Sequence, residues 1–326
     1  MHTIDDFVRL VRDELGMPLE EYQISADLDQ LPEWDSLYLL KLVTALEQAA
    51  GARGGPGRRR RHTLYFLEHA ARQRPVHLDT DLDMTRIEAH RAAARAAGRR
   101  YSVVTYLLHA TGRVLHRHPE ANAALAPPRL FGLRGPRTLR FPEVTAKLAL
   151  DRTVDGERTV LSALLPALER ADLDEIQRRV DRYRGPGTEQ LPEFRGVRML
   201  GRLPVPLGRL AFAAATRDPA RRPGVFGTVA VSSLGHRPVD GFHSSGGTAV
   251  TLCAGRVVDR PVVRDGRLAI APVMRLGLTF DHRIIDGGAA ADVLGDLKQE
   301  MEGFDDGAED DGTQPIARGA GADLRS

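Results

Sequence analysis

The apolar residues of the first fifty positions recur at helical spacing twice. Ile4, Phe7, Val8, Val11 and Leu15 form one stripe, with Thr3 placed as its N-cap and Gly16 as its stop. After a polar loop, Asp35-Ser36-Leu37 opens a second stripe through Leu40, Val43 and Leu46. From residue 62 the period changes repeatedly. A helix is predicted over 62–73, and the alternation of PVHLDTDLDMT predicts a strand over 75–85 that runs into a helix at 85–97. Ser102 is placed to cap a long helix in which Val103, Val104, Leu107, Leu108, Val114 and Leu115 make one buried stripe, ended by Pro119. Val262-Val263 and Leu268–Ile270 flank Asp265-Gly266, the signal of a tight hairpin. Leu276, Leu278 and Phe280 alternate with Arg275, Gly277 and Thr279, a half-buried strand that delivers Asp281-His282 at its end. Asp286-Gly287 then turns the chain into a helix facing Ala290, Val293, Leu297 and Met301 inward. Strands interleaved with helices predict an α/β (α+β) sandwich, a mixed sheet with packed helices, preceded by a small all-α head.

Two stretches break the pattern. Residues 51–61 (GARGGPGRRRR) have almost nothing to bury and read as a linker; 303–326 is Gly/Asp-rich without periodicity and reads as a disordered tail. The expected organisation is a head at 1–50, the linker at 51–61, a body at 62–302 and the tail at 303–326. At 326 residues and 42% apolar, the chain can build a large core. No run of eighteen apolar residues occurs, and the acidic N-terminus is unlike a secretory leader, so no membrane association is expected. The single Cys253 excludes a disulfide framework and a cysteine-built metal site. A net charge of +2 gives no whole-protein drive toward nucleic acid. A cytoplasmic protein is the expectation. Of the 46 basic residues only Lys41, Lys147 and Lys298 are lysines, so chemistry on a modifiable lysine has three candidates.

A serine at the first turn of a helix is ordinarily a cap, but the setting of Ser36 is more specific. LPEWDSLYLLKLVTALEQ resembles the attachment site of acyl carrier proteins, in which Asp-Ser-Leu receives 4′-phosphopantetheine. A phosphodiester on Ser36 would lie at a helix N-terminus, where free N–H groups and the helix dipole favour an anion. The head is shorter than the family's usual carrier domain, because 51–61 cannot supply its later helices.

The body resembles a second family. LTFDHRIIDGGAAADVLGDLKQE is similar to the C-terminal signature of dihydrolipoamide acyltransferases, the catalytic cores of 2-oxoacid dehydrogenase complexes, with His282, Arg283, Asp286 and Gly287 completing the motif. FGTVAVSSLG (226–235) resembles their Gly-Thr-x-x-x-Ser-x-Leu-Gly segment, and YSVVTYLLHATGRVLHRHPEANAAL (101–125) their long helix ending in Pro-Glu-x-Asn. The resemblance implies a chloramphenicol acetyltransferase-like fold and a homotrimer whose active centres lie between subunits, one supplying the histidine and its neighbour the serine. The Gly-x-x-x-Pro stretch is blurred at 156–166, where Ser162 stands near the expected proline, and 186–223 is an extra Pro/Arg-rich insertion. None of the three lysines sits in a lipoyl-domain setting.

Thioester exchange needs a thiolate, a carbonyl beside it and a donor for the tetrahedral oxyanion. An alkyl thiol of pKa near 8.5 is barely ionised at neutral pH, and an imidazole suits removal of its proton. The resemblance gives His282 the role of general base and Ser232 that of oxyanion donor. Asp286 orients the site, and Arg283 is a weaker candidate for pairing with a carboxylate. Blander roles exist for each: a strand-end histidine can be a surface residue, Ser232 or Ser233 can pin a turn, and Asp286 can belong to an ordinary Asp-Gly turn. His116 and His118 read as a solvated helix end without a third ligand, and no metal is expected. His236 and His243 lie in a Gly/Ser-rich loop, Arg58–Arg61 read as exposed linker, and Cys253 reads as a buried packing residue.

Together the two resemblances imply transfer of a short acyl group from a lipoyl arm supplied in trans to the pantetheine thiol on Ser36. Carrier–acyltransferase fusions of tetrahydroisoquinoline antibiotic pathways (naphthyridinomycin and quinocarcin type) are similar, and there the cargo is a two-carbon hydroxyacetyl (glycolyl) unit. The implied partners are a thiamine-diphosphate-dependent dehydrogenase or transketolase-like protein with a lipoyl domain, a phosphopantetheinyl transferase and a nonribosomal peptide synthetase. Two alternatives remain: a coenzyme A-dependent O-acetyltransferase of the tetronate type, and a non-catalytic trimeric scaffold displaying carrier domains.

Overall fold

A computed structural model of the chain describes residues 60–126, 137–154, 157–185 and 187–305, with residues 8, 9 and 12 besides. The head at 1–50, with Ser36 and Lys41, and the tail beyond residue 305 lie outside the described residues, those three positions apart.

The element order is α1 (Arg61–Ala70), β1 (Pro75–Asp83), α2 (Thr85–Ala96), α3 (Val103–Arg117), β2 (Ala123–Ala126), β3 (Arg137–Arg140), β4 (Ala146–Val154), β5 (Glu157–Leu165), α4 (Leu173–Arg182), α5 (Arg195–Arg202), α6 (Val205–Thr216), α7 (Pro223–Phe226), β6 (Val229–Ser233), β7 (Val250–Arg264), β8 (Arg267–Asp281) and α8 (Gly287–Glu302). Six strands form one sheet in the order β1-β8-β7-β6-β4-β5, while β2 and β3 pair separately. The large sheet is mixed: β6 runs parallel to both β4 and β7, and the remaining pairs are antiparallel.

Alternation along the strands gives this sheet two unlike faces. One carries Leu82, Leu148, Leu161, Val231, Leu252, Leu276 and Phe280, which join Ile87, Leu107, Ile176, Val293 and Leu297 from α2, α3, α4 and α8 in one core. By the same alternation the other face carries Asp81, Lys147, Ala230, Ser232, Thr251, Cys253, Thr279 and Asp281. The loop 240–249 lies against that second face. A side chain at Gly277 would come within 2.7 Å of the Phe242 carbonyl, and one at Gly246 within 2.2 Å of Ala230 Cβ. The strand expected to be half-buried at 275–280 is therefore covered on both sides: Thr279 is buried along with Leu278 and Phe280.

The predicted helices at 62–73 and 85–97 and the strand at 75–85 are present within a few residues. The long helix α3 differs from its expected single stripe, since all of 105–112 is buried. It runs between the sheet and its helical neighbours, and Gly112 is required there because a Cβ would meet the Leu168 backbone at 2.5 Å. Asp265 and Gly266, with φ of 50° and 73°, make the β7–β8 turn anticipated at this Asp-Gly pair. Packing extends past α8 into the segment expected to be tail, for the Phe304 ring lies 4.9 Å from Tyr106 and 5.1 Å from His90. The Pro/Arg-rich 186–223 stretch folds into short helices over α1.

Lys147 is the one lysine among the described residues that is buried, at 6% exposure. Its Nζ donates to the Gly246 carbonyl and lies 4.1 Å from the Phe66 ring centroid and 5.3 Å from that of Phe226. Burial, with Arg222 nearby, lowers its pKa to about 7. Between pH 7 and the ordinary lysine value, the unfolded chain holds a proton that the folded chain has released, so stability rises with pH there. Lys147→Met should remove that rise and gain on the order of a few kcal/mol at pH 7. The check is urea unfolding of both proteins between pH 7 and 8, below the range where the Cys253 thiol, pushed up to about 12 by burial, acts in the opposite direction.

Candidate active site

The segment Asp281-His282-Arg283 is placed by β8 and locked by contacts from far along the chain. Asp281 is buried and its carboxylate takes the Arg283 guanidinium side-on, Nε to Oδ1 at 2.9 Å. The same oxygen accepts from the backbone amides of Arg74 and Arg283, each at 3.2 Å. Burial alone would raise the Asp281 pKa, but the Arg283 side chain and these two amides outweigh it and hold the carboxyl below its usual range. The next residue, His282, donates its backbone N–H to the Arg74 carbonyl at 2.9 Å. An ion pair to the buried Asp281 carboxylate and a long-range hydrogen bond to Arg74 therefore fix the backbone on which the imidazole stands.

That imidazole is not buried. The His282 side chain is 48% exposed, its ring centroid is 5.5 Å from Phe280, and Nδ1 lies 3.5 Å from Asp286 Oδ1. Asp286 is the N-cap residue of α8, its side chain makes no capping hydrogen bond, and it is 92% exposed. Arg283, a weak candidate for carboxylate pairing on sequence, is fully engaged by Asp281. The buried Asp281, which the sequence did not single out, is the anchor of the motif.

Ser232 is set by a separate device. Gly227 has φ of +68°, and a Cβ there would meet the Thr145 carbonyl at 2.6 Å. The amide of Thr228 donates to that carbonyl at 2.7 Å, and Thr228 Oγ1 accepts from the Thr145 amide at 3.1 Å. The Gly-Thr pair thus locks β6 onto β4, and alternation then sends Ser232 and Ser233 to opposite faces. Ser233 Oγ accepts from the Gly235 amide at 3.3 Å and lines a cavity of about 440 Å³ with Ser102, Asp151 and His236. Ser233 therefore takes the turn-pinning role, and Ser232 faces the polar side.

The structure does not bring Ser232 and His282 together within one chain. Ser232 pairs with Cys253, Cys253 pairs with Gly277, and His282 lies five residues beyond Gly277. At roughly 3.3 Å per residue and 4.8 Å per strand, the two residues are roughly 15–20 Å apart. No reacting centre within one chain touches both.

The remaining candidates separate clearly. His118, expected at a solvated helix end, is held between Asp296 at 2.9 Å and Glu120 at 3.1 Å, and only His116 is exposed. The His243 ring lies 4.9 Å from that of His77, tilted at 46°, and His236 lies 3.9 Å from Asp151. Cys253 is fully buried. No group of three or more histidine, cysteine, aspartate or glutamate side chains among the described residues could hold a metal ion. No described helix is long and apolar enough to cross a membrane. A cavity of about 980 Å³ borders Asp281, Arg283 and Ile284 but is not lined by His282.

This mixed sheet with helices packed on one face is the fold of dihydrolipoamide acyltransferase cores. The probable dihydrolipoamide acetyltransferase of Listeria monocytogenes superposes with a TM-score of 0.56 at 17% identity, covering 77% of this chain and 93% of that one. The dihydrolipoamide acetyltransferase of Azotobacter vinelandii, in which a serine, a histidine and an asparagine have been investigated for their role in the catalytic mechanism, gives 0.54 at 22% identity, covering 76% and 90%. Residues 225–306 match the family model of the 2-oxoacid dehydrogenases acyltransferase (catalytic domain). A stretch of 48 residues, 15% of this chain, is 46% identical to the dihydrolipoyllysine-residue acetyltransferase component of the Bacillus subtilis pyruvate dehydrogenase complex. The match spans 11% of that relative's length. The matched domain and these relatives are acyltransferases, and residues 225–306, which carry Ser232, His282 and Asp286, are similar to that domain.

Proposed function

We propose that the protein is an acyltransferase that moves a short acyl group, of the two-carbon hydroxyacetyl kind, from a partner's lipoyl arm to a phosphopantetheine thiol on its own Ser36. The observation that carries the reading is the His282 imidazole: exposed on a backbone that Asp281, Arg283 and Arg74 hold fixed, within a matched acyltransferase segment. His282 takes the proton of the accepting thiol, and the same proton is returned to the departing dihydrolipoyl sulfur. Asp286 steadies the imidazole from Nδ1, leaving Nε2 for the thiol. The Ser232 hydroxyl donates to the oxygen of the acyl carbonyl while that oxygen carries negative charge. One thioester bond breaks and one forms, with no net change in protons.

The separation of Ser232 from His282 supports a centre shared between copies, in which the serine face of one subunit meets the histidine of the next, as in a homotrimer. The pantetheine arm on Ser36 would supply a flexible thiol to that centre. The acetyltransferase of Azotobacter vinelandii has asparagine among its investigated residues; here the residue four positions after the histidine is Asp286, whose carboxylate can hold an imidazolium. Feeding of a nonribosomal peptide synthetase by the loaded carrier completes the proposed role.

The test is intact-protein mass spectrometry. The protein is first treated with a phosphopantetheinyl transferase and then offered either an acylated lipoyl domain or acyl-coenzyme A. The expected result is a phosphopantetheine mass shift that Ser36→Ala abolishes, followed by an acyl adduct from the lipoyl donor. A shift that survives Ser36→Ala, or acylation of a small hydroxyl acceptor from acyl-coenzyme A alone, refutes the reading.

A further inference from the structure

The cavity of about 980 Å³ is a cleft between α1 and α6, and its charge is one-sided. Five guanidinium groups border it, from Arg72, Arg209, Arg217, Arg222 and Arg283, against the carboxylates of Glu68 and Asp281. Both carboxylates are already occupied: Glu68 pairs with Arg209 at 2.6 Å, and Asp281 with Arg283. Among the described residues no carboxylate lies within ion-pair distance of Arg72, Arg217 or Arg222. Arg222 donates to His69 Nε2 at 2.8 Å. Burial, then Arg222 and Arg72, push the His69 pKa down to about 4, so this partner stays neutral and brings no negative charge to the guanidinium. The same two helices leave Leu64, Leu67, Leu207 and Leu210 exposed, Leu210 at 67%. A surface both basic and apolar fits an occupant that is acidic and amphipathic.

The chain contains such an occupant. Residues 1–50 hold eleven carboxylates against Arg9, Arg12 and Lys41, interleaved with the apolar stripes of Ile4–Leu15 and Leu37–Leu46. The ten residues 51–60 that follow lead directly into Arg61, the first residue of α1. Ten residues reach at most roughly 35 Å, and α1 is about 15 Å long, so the whole cleft lies within the tether. A tether this short holds the head at an effective concentration on the order of millimolar, enough for a weak surface to be occupied.

We propose that the cleft between α1 and α6 is the docking surface of the chain's own acidic head, residues 1–50. The inference rests on charge, exposed apolar area and tether length, not on what Ser36 carries, so it stands or falls apart from the proposed reaction. It also sets the head against the rim formed by Asp281 and Arg283, beside the backbone of His282.

Hydrogen–deuterium exchange of the full chain tests this. The amides of 61–73 and 205–217 should exchange several-fold more slowly at 50 mM than at 500 mM salt, because screening shortens the reach of the attraction from about 14 Å to about 4 Å. Arg72→Glu with Arg217→Glu, both at exposed positions, should abolish the salt-sensitive protection, and Glu20→Lys with Glu21→Lys added to that variant should restore part of it. Salt-insensitive exchange, or protection that survives the arginine reversal, overturns the proposal. So does protection that disappears on removing 306–326, which makes the acidic tail the occupant, or that grows with protein concentration, which makes a second copy the occupant.

Discussion

His282→Ala should lower the rate of acyl transfer to the carrier thiol by about 10²–10⁴-fold, the usual contribution of a positioned general base. The fold should survive. The imidazole is half-exposed and its ring makes no hydrogen bond to the core, whereas the contacts that hold this segment belong to the His282 backbone and to Asp281 and Arg283. The thermal midpoint and oligomeric state should therefore match those of the unaltered protein. Raising the pH should recover part of the lost rate, since the thiol then ionises without help. Loading by the variant at the unaltered rate and neutral pH would remove His282 from the mechanism.

Ser232→Ala should cost about 10²–10³-fold in the transfer step, roughly 3–4 kcal/mol, as loss of a single oxyanion donor does. Substrate affinity should change little, because the negative charge on the carbonyl oxygen exists only during reaction. Ser233→Ala, on the opposite face, should leave the rate unchanged and serves as the control. Mixing gives the decisive arm. If the serine of one copy serves the histidine of another, co-refolded His282→Ala and Ser232→Ala proteins at equal amounts should regain about a quarter of the unaltered rate, each productive centre taking its intact half from the other variant. A centre built within one chain would show no recovery.

Much of the architecture around these residues was legible because it rests on local periodicity. The alternation at 275–280 and the Asp265-Gly266 turn are properties of neighbouring residues, and both appear where the pattern puts them. Gly227-Thr228 is intermediate: the motif was readable, but its role in locking β6 to the Thr145 backbone needs a partner more than eighty residues away. The 186–223 stretch was legible only as a Pro/Arg-rich insertion; Pro192, Pro219 and Pro223 occupy first turns of short helices, where the missing N–H costs nothing. Asp281 and Lys147 show the limit. Each is a charged residue on a strand whose burial is decided by what crosses above it, Arg74 and Arg283 in one case, Phe66, Phe226 and the Gly246 carbonyl in the other. His118 was misread for the same reason, since Asp296 reaches it from α8.

The clamp formed by Gln73 and Arg74 bears on how this protein can be recombined. Gln73 donates to the Thr248 carbonyl at 2.8 Å and accepts from Ser245, while Arg74 holds His282 through its carbonyl. A version trimmed to start at β1 would retain every acyltransferase motif and still release both the histidine and the loop that covers the polar face. Anyone grafting a foreign head onto this body should place the junction upstream of Arg61, and treat α1 as inseparable from the catalytic half.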